Sequence, residues 1–179
     1  MLGSPVGAEV QALLDALALK SVDRAGWVRA GVARPESVAD HSWGVAFLVA
    51  ALLPEELDLG RAMAYAVLHD LAEVTTGDIT PFDGVLPQEK AAREDAAMVA
   101  LCASLPNGSR LLRLWRSYEG REDAEALFVA QLDRLDLGLM AVRYGASQGG
   151  FDESARNGVS HPRLVDLLLT AQSRRRSTP

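Results

Sequence analysis

Apolar residues recur at intervals of three and four along almost the whole chain, and no alternating run is long enough for a strand. A segment patterned at the helical period cannot bury its apolar side in a sheet, so the chain is restricted to packed helices. An all-α bundle is therefore expected. With 179 residues and 49% hydrophobic content, residues 1–179 suit one compact domain with a sizeable core.

The spacing predicts a first helix after Ser4-Pro5, carrying Val10, Leu13, Leu14 and Leu17 on one face. Residues 21–36 read as an irregular connection. Ser37 is the expected cap of a second helix, with Asp40 completing a capping box and Val45, Leu48, Val49 and Leu52 forming the stripe. His41 falls in its first turn. After the break LPEELDLG a third helix is predicted over roughly residues 60–75, ended by a left-handed Gly77, which puts Asp78 just past a helix end. TPFDGVLPQEK reads as loop, a helix follows over about residues 88–104, and Pro106-Asn107-Gly108 breaks the chain again. A short helix around SRLLRLWRSYE, a long one near residues 121–144, the flexible loop GASQGGFDESARNG and a last helix from about residue 161 complete the pattern. The closing RRR run reads as solvated.

Eighteen basic against 24 acidic residues, a net charge of −6, argue against partners such as a nucleic-acid polymer or an anionic membrane. A small anionic ligand is not excluded, because it responds to the local field of a metal or an arginine. The single cysteine, Cys102, leaves no intramolecular disulfide. The start MLGSPVGAEVQ lacks a signal's basic and apolar regions, and no apolar run approaches the ~18 residues of a membrane span. A cytoplasmic protein is expected.

Against this background AVLHDLAEVTTGDITP, residues 66–81, carries His69, Asp70, Glu73 and Asp78. On a continuous helix His69 and Glu73 share a face, and Asp70, about 100° round, still points into the same cleft. Met63, Ala64, Ala66, Val67, Leu68, Leu71 and Ala72 make the rest of that helix apolar nearly all round, and so central to the bundle. An unpaired carboxylate there costs several kcal/mol or changes its protonation, so a metal ion or a firm hydrogen-bonding partner is expected. Asp133 lies in line with Val129, Leu137 and Met140 on an apolar face, whereas Asp136 is read as surface. His161, before a proline at a helix start, is read as structural.

Taken singly, a core histidine is more often bonded to a backbone carbonyl than to a metal, and a buried aspartate is as readily paired with an arginine. In combination, His41, His69, Asp70 and Asp133 offer a mixed nitrogen and oxygen set from three helices. That set suits a divalent cation such as Mn, Fe, Co or Zn, with Mg also open.

The order H…HD…D resembles the HD-domain metal-dependent phosphohydrolases. RAGW, RPESVADHS, LHDLAEVTTGDITP, QEKAAREDAAM and ALFVAQLDRLD, spanning Arg24 to Asp136, together with SHPRLVDLL, resemble the YfbR-like 5′-deoxynucleotidases of the HD-domain-containing branch. The resemblance implies that His41, His69, Asp70 and Asp133 hold the metal, and that Glu73 and Asp78 are catalytic. It further implies that Arg24 contacts the substrate phosphate, that Trp27 lies against the nucleotide, that the Asp78-Ile79 segment lines the site, and that the protein is a homodimer. Some members hold further metal through the equivalents of Glu73, Asp78 and the Ile79 carbonyl. Read from the residues alone, Trp27 is as readily a core side chain as a stacking one. The chain departs from the family at Leu127 and Ala130, where lysine is common, and in the RAGW spacing, which is closer to the eukaryotic-like branch.

The chemistry fits those parts. A divalent metal lowers the pKa of bound water from 15.7 toward ~7 and polarises a phosphoryl oxygen. The forked donors of Arg24 match a phosphate, and Glu73 and Asp78 divide the proton transfers in an order the sequence does not fix. A metal-dependent 5′-deoxynucleotidase, acting on a small-molecule nucleotide to release deoxynucleoside and phosphate, is expected. The alternatives are an HD-domain phosphohydrolase of another nucleotide or phosphomonoester, and a non-catalytic metal-dependent nucleotide sensor. Glu73 and Asp78 argue against the sensor, since pure binding needs no proton-transfer group.

Overall fold

The computed structural model describes residues 4–146 and 150–176. Ser4 accepts from the Gly7 N–H and Pro5 occupies the first helical position, which starts α1 (Pro5–Leu17). A 3-10 turn at Ala18–Ser21 leads to the short α2 (Ala25–Arg29). The predicted capping box opens α3 (Val38–Leu52): Ser37 Oγ accepts from the Asp40 N–H, and the Asp40 carboxylate accepts from the Ser37 N–H. Asp58 caps α4 (Leu59–Leu68), and α5 (Glu73–Thr76) follows after one tight turn. A 3-10 turn at Pro81–Asp83 precedes α6 (Pro87–Cys102) and α7 (Gly108–Glu119). Asp123 caps the long α8 (Ala124–Arg143), and α9 (Phe151–Gly158) and α10 (Pro162–Arg176) close the order. Among the described residues there is no strand, only an isolated bridge between Asp23 and Ser37. None of their helices is long and apolar enough to cross a membrane.

The core is organised on α8. Val129, Leu132 and Leu135 are fully buried against Val45 and Val49 of α3, Tyr65 and Ala66 of α4, and Leu164 and Leu168 of α10. Each buried leucine contributes roughly 1.5–3 kcal/mol relative to exposure. Gly138 permits the close approach of α9 and α10, because a Cβ there would collide with Leu168 and Ala155. A second cluster joins Ala72, Met98 and Leu101 to Trp115, and a third joins Trp27 to Leu137 and Ala141.

Several expectations are corrected. Residues 21–36 contain α2. The third predicted helix is two, interrupted at residues 69–72. Gly77 does take positive φ, but at φ 73 and ψ 166 its backbone is extended instead of helical. The loop expected over GASQGGFDESARNG contains α9, held by buried Ala155; its residues 147–149 lie outside the described residues. Arg175 of the RRR run is not solvated: it pairs with Asp152 and donates to the Ala146 carbonyl. Val10, Leu13, Leu14 and Leu17 do share α1, yet each stays exposed while Ala12 turns inward.

Candidate functional site

The capping box sets the first turn of α3 so that His41 points inward and is fully buried. His69 caps the C-terminal end of α4, where Trp115 Nε1 donates to its carbonyl at 3.2 Å. With that carbonyl engaged, the chain tightens: Leu71 N–H bonds to Leu68 and Glu73 N–H to Asp70, both three residues back. In a three-residue turn, positions i and i+3 eclipse, so Asp70 and Glu73 lie on one side. The continuous helix expected over this stretch would instead have paired His69 with Glu73.

Ligand atoms of His41, His69 and Asp70 gather there, and Asp133 joins the group through His41. His69 Nε2 lies 3.3 Å from His41 Nε2 and 3.2 Å from Asp70 Oδ2. His41 Nε2 lies 3.6 Å from Asp70 Oδ2 and 3.2 Å from Asp133 Oδ1. Metal bonds of about 2.1 Å produce ligand–ligand edges of about 3.0 Å at right angles and about 3.4 Å in a tetrahedron, so the separations among His41, His69 and Asp70 suit one ion, with Asp133 on its His41 side. The tautomers are dictated by the far side of each ring. His41 Nδ1 faces the Asp136 carboxylate at 2.7 Å and His69 Nδ1 faces the Ala66 carbonyl at 2.9 Å; both partners only accept, so both Nδ1 atoms carry the proton. Two Nε2 lone pairs then face each other beside two carboxylates, an arrangement that calls for a cation.

The electrostatics point the same way. Burial and Arg24 oppose a charge on His41, but its bonds to Asp133 and Asp136 prevail and push its pKa up to about 10. Burial likewise opposes ionisation of Asp70 and Asp133. The histidines and Arg24 hold Asp70, and His41 and Arg134 hold Asp133, well below the usual carboxylate range. The centre therefore attracts positive charge, as a proton or as a metal ion.

Around it lies a cavity of about 1280 Å³, lined by Arg24, Asp70, Glu73, Asp78, Asp133 and Lys90 among others. Arg24 Nη1 approaches Asp70 Oδ2 at 3.4 Å; burial opposes its charge, but Asp70, Asp78, Asp133 and Glu73 reinforce it. Asp78 Oδ2 accepts the Ala25 N–H at 2.8 Å and so ties the residue after Gly77 to the start of α2. Glu73 is only 3% exposed and its Oε2 has no hydrogen-bond partner. Burial, then the charges of Asp70 and Asp78, push its pKa up to about 9. Lys90 was not among the sequence-derived candidates. Its Nζ donates to the Ile79 carbonyl at 3.2 Å and pairs with Glu94 at 3.5 Å, so that carbonyl already has a partner.

One residue stands differently from its sequence reading, and for another the structure favours one of two. Asp136, read as surface, is 7% exposed and holds the Nδ1 proton of His41. Its carboxylate sits against Gly44, where a Cβ would come within 2.5 Å of Oδ1. Asp133 and Asp136 are one helical step of three apart, which lets α8 address both nitrogens of His41; that spacing was the available signal. Trp27 lines the cavity but is 1% exposed: its ring packs on Phe151 at 4.3 Å and Tyr144 at 5.2 Å, and Nε1 donates to Glu36 at 2.8 Å. Glu36, His41 and Asp136 also cluster, but Asp136 takes the Nδ1 proton and Glu36 takes Trp27, so this group buttresses the back of His41. His161 lies away from the cluster, with its ring edge-on to Phe128 and its N–H donating to Gln131.

Known proteins share this arrangement of sequence and fold. A family model described as HD domain matches residues 16–166. The human protein named 5′-deoxynucleotidase HDDC2 is 37% identical over 166 residues, covering 88% of this chain and 81% of the relative. Its Bos taurus counterpart is 39% identical over 166 residues, covering 88% and 80%. The solved structure of a predicted metal-dependent phosphohydrolase from Magnetospirillum magnetotacticum MS-1 superposes with a TM-score of 0.74 at 26% identity, covering 96% of this chain and 95% of that one.

Proposed function

This chain belongs to the HD-domain 5′-deoxynucleotidase family, and we propose that it hydrolyses deoxyribonucleoside 5′-monophosphates with a divalent metal held by His41, His69, Asp70 and Asp133. The observation that carries the metal assignment is the pair of opposed Nε2 atoms, 3.3 Å apart, whose Nδ1 protons are already committed. The nitrogen and oxygen donors suit Mn, Fe, Co or Zn, and Mg less strictly.

When bound, such an ion supplies water of lowered pKa and positive charge for the phosphoryl oxygens. Arg24 binds the remaining phosphate oxygens, since among the described residues its guanidinium is committed only through one long contact to Asp70. Hydrolysis forms a bond from the water oxygen to phosphorus and breaks the bond to the 5′-oxygen. One proton leaves the water and one must reach the departing oxygen. Glu73, with an unpartnered Oε2 beside Asp70, accepts the water proton once a cation lowers its raised pKa. The proton that Glu73 takes from the water is the one returned to the departing oxygen, and Asp78, fixed through Oδ2, relays it through Oδ1. Lys90 adds a second cation to the cavity.

A homodimer is part of the proposal. Val10, Leu13, Leu14 and Leu17 leave an apolar stripe on α1, and Trp43 and Phe47 stack on the surface of α3 at 71% and 58% exposure. A second copy covering such surfaces removes them from water. A cytoplasmic location agrees with Cys102 remaining a buried free thiol.

The test is phosphate release from matched deoxy- and ribonucleoside monophosphates with a series of divalent metals. Faster turnover of the deoxynucleotide at each base is expected. Equal turnover would broaden the assignment to phosphomonoesters in general, and nucleotide binding without turnover would make the protein a sensor.

A further inference from the structure

Four aromatic side chains line the cavity, and they fall into two sets. Trp27, Tyr144 and Phe151 pack on one another and close the wall. Phe82 stands apart from them with 64% of its surface exposed. Phe82 is thus the one of the four that lines the cavity with a largely open ring, which leaves it available to a ligand there.

The turn that carries the ring is ordered by its own hydrogen bonds. Thr80 Oγ1 accepts from the Phe82 N–H, and the Asp83 carboxylate takes the Thr80 N–H at 2.7 Å and its hydroxyl at 2.6 Å. Gly84, at φ 70, ends the turn in a left-handed conformation that favours glycine. Asp83 also pairs with Arg29 at 3.6 Å, and the Arg29 guanidinium lies over one face of Phe82, 4.7 Å from the ring centre. Among the described residues nothing stacks on the opposite face.

This turn is tied to the phosphate-binding end of the cavity by two routes. Arg24 caps the start of α2 and Arg29 is its last residue, separated by about 7.5 Å of helix axis. Along the chain, Asp78 and Phe82 are four residues apart, at most ~14 Å. A deoxynucleotide with its phosphate at Arg24 can bridge that distance with its sugar and base. We propose that Phe82 is the nucleobase platform, the base stacking on the ring face opposite Arg29. Trp27 cannot serve, because Phe151 and Tyr144 occupy its surroundings and leave it 1% exposed. Stacking tolerates any base, since every base has a π-face, so the platform provides affinity with little base preference.

The inference rests on the nucleotidase reading, and its test separates the two. On the metal-loaded full chain, kcat and KM are measured for the four deoxynucleoside 5′-monophosphates and for 2-deoxyribose 5-phosphate, which lacks a base. Phe82→Ala, at an exposed position, is expected to raise KM for all four nucleotides by roughly 5- to 150-fold. It leaves 2-deoxyribose 5-phosphate unchanged, and Phe82→Tyr retains wild-type values. Equal losses on the base-free ester would make Phe82 a loop-stabilising residue and overturn the platform, as would unchanged KM for the nucleotides. Calorimetric titration with deoxyadenosine, which has a base but no phosphate, reads the platform without turnover. Phe82-dependent binding by a protein that hydrolyses neither ester would support the platform and refute the nucleotidase; Phe82-independent binding by an active enzyme would do the reverse.

Discussion

Asp136 offers the sharpest separation between the surface role its sequence suggests and the role its position assigns. The carboxylate is buried, 2.7 Å from His41 Nδ1, and touches no proposed metal-bound atom. Its work is to hold the Nδ1 proton, which fixes the tautomer that leaves Nε2 free for a metal and keeps the ring oriented. Replacing such an outer partner costs about 10- to 100-fold in metal affinity, or about 1.4–2.7 kcal/mol. Asp136→Asn keeps the volume but lets the amide present either a donor or an acceptor to Nδ1, so a loss near the lower figure is expected. Asp136→Ala also strands a buried N–H, adding about 1–3 kcal/mol of lost folding stability. The assay is metal affinity by competition with a chromogenic chelator, with a melting curve on the same preparation. Asp133→Ala serves as the reference in which a ligand itself is gone. If Asp136→Ala binds metal as tightly as the unmodified protein, the tautomer argument is wrong and Asp136 has no part in metal binding. Gly44→Ala provides an independent check: its Cβ would push on Asp136 Oδ1 and should weaken metal binding without altering any polar group.

Glu73→Gln preserves shape but removes the proton acceptor, so one metal and nucleotide affinity are retained while kcat falls by roughly 10²–10⁴; simultaneous loss of metal in elemental analysis would place Glu73 in the coordination shell. The metal-free protein should lose stability as pH rises. His41, raised from 6.5 to about 10, and Glu73, raised from 4.5 to about 9, both stabilise the fold while protonated, fully below their ordinary values and no longer once pH passes through the raised ones. Melting temperatures of the metal-free form should therefore decline from about pH 4.5, where Glu73 begins to contribute, to about pH 10, where the His41 contribution ends, and a flat profile would contradict the buried, acid-lined centre.

What the sequence disclosed and what it hid follow from the range of the forces involved. The capping box at Ser37 and Asp40 and the helix starts at Ser4-Pro5 are local, set within one turn, and they read directly. The gathering of His41, His69 and Asp70 was legible because each interrupts a segment whose pattern is otherwise that of an apolar helix, a conflict visible without coordinates. The break after Leu68 was not, because it is made by Trp115, 46 residues away, capturing the His69 carbonyl. Asp136 misled because its wheel neighbours are polar while its actual surroundings come from α3. The α9 helix was masked by flanking glycines and is stabilised by packing on α8, a long-range effect absent from its own composition. Lys90 lies in a predicted helix with alternating charges, and only the fold turns it toward the Ile79 carbonyl.

The central claim, hydrolysis of a deoxynucleotide that depends on an ion at the His41, His69, Asp70 and Asp133 centre, is tested most directly by exhaustive chelation. Phosphate release from a deoxynucleoside 5′-monophosphate is measured before chelation, after it, and after stoichiometric return of metal, with metal content determined in each sample. The account predicts that activity disappears with the ion, that the melting temperature falls as the carboxylates lose their cation, and that both recover on reconstitution. Full activity in a sample verified to be metal-free would contradict it.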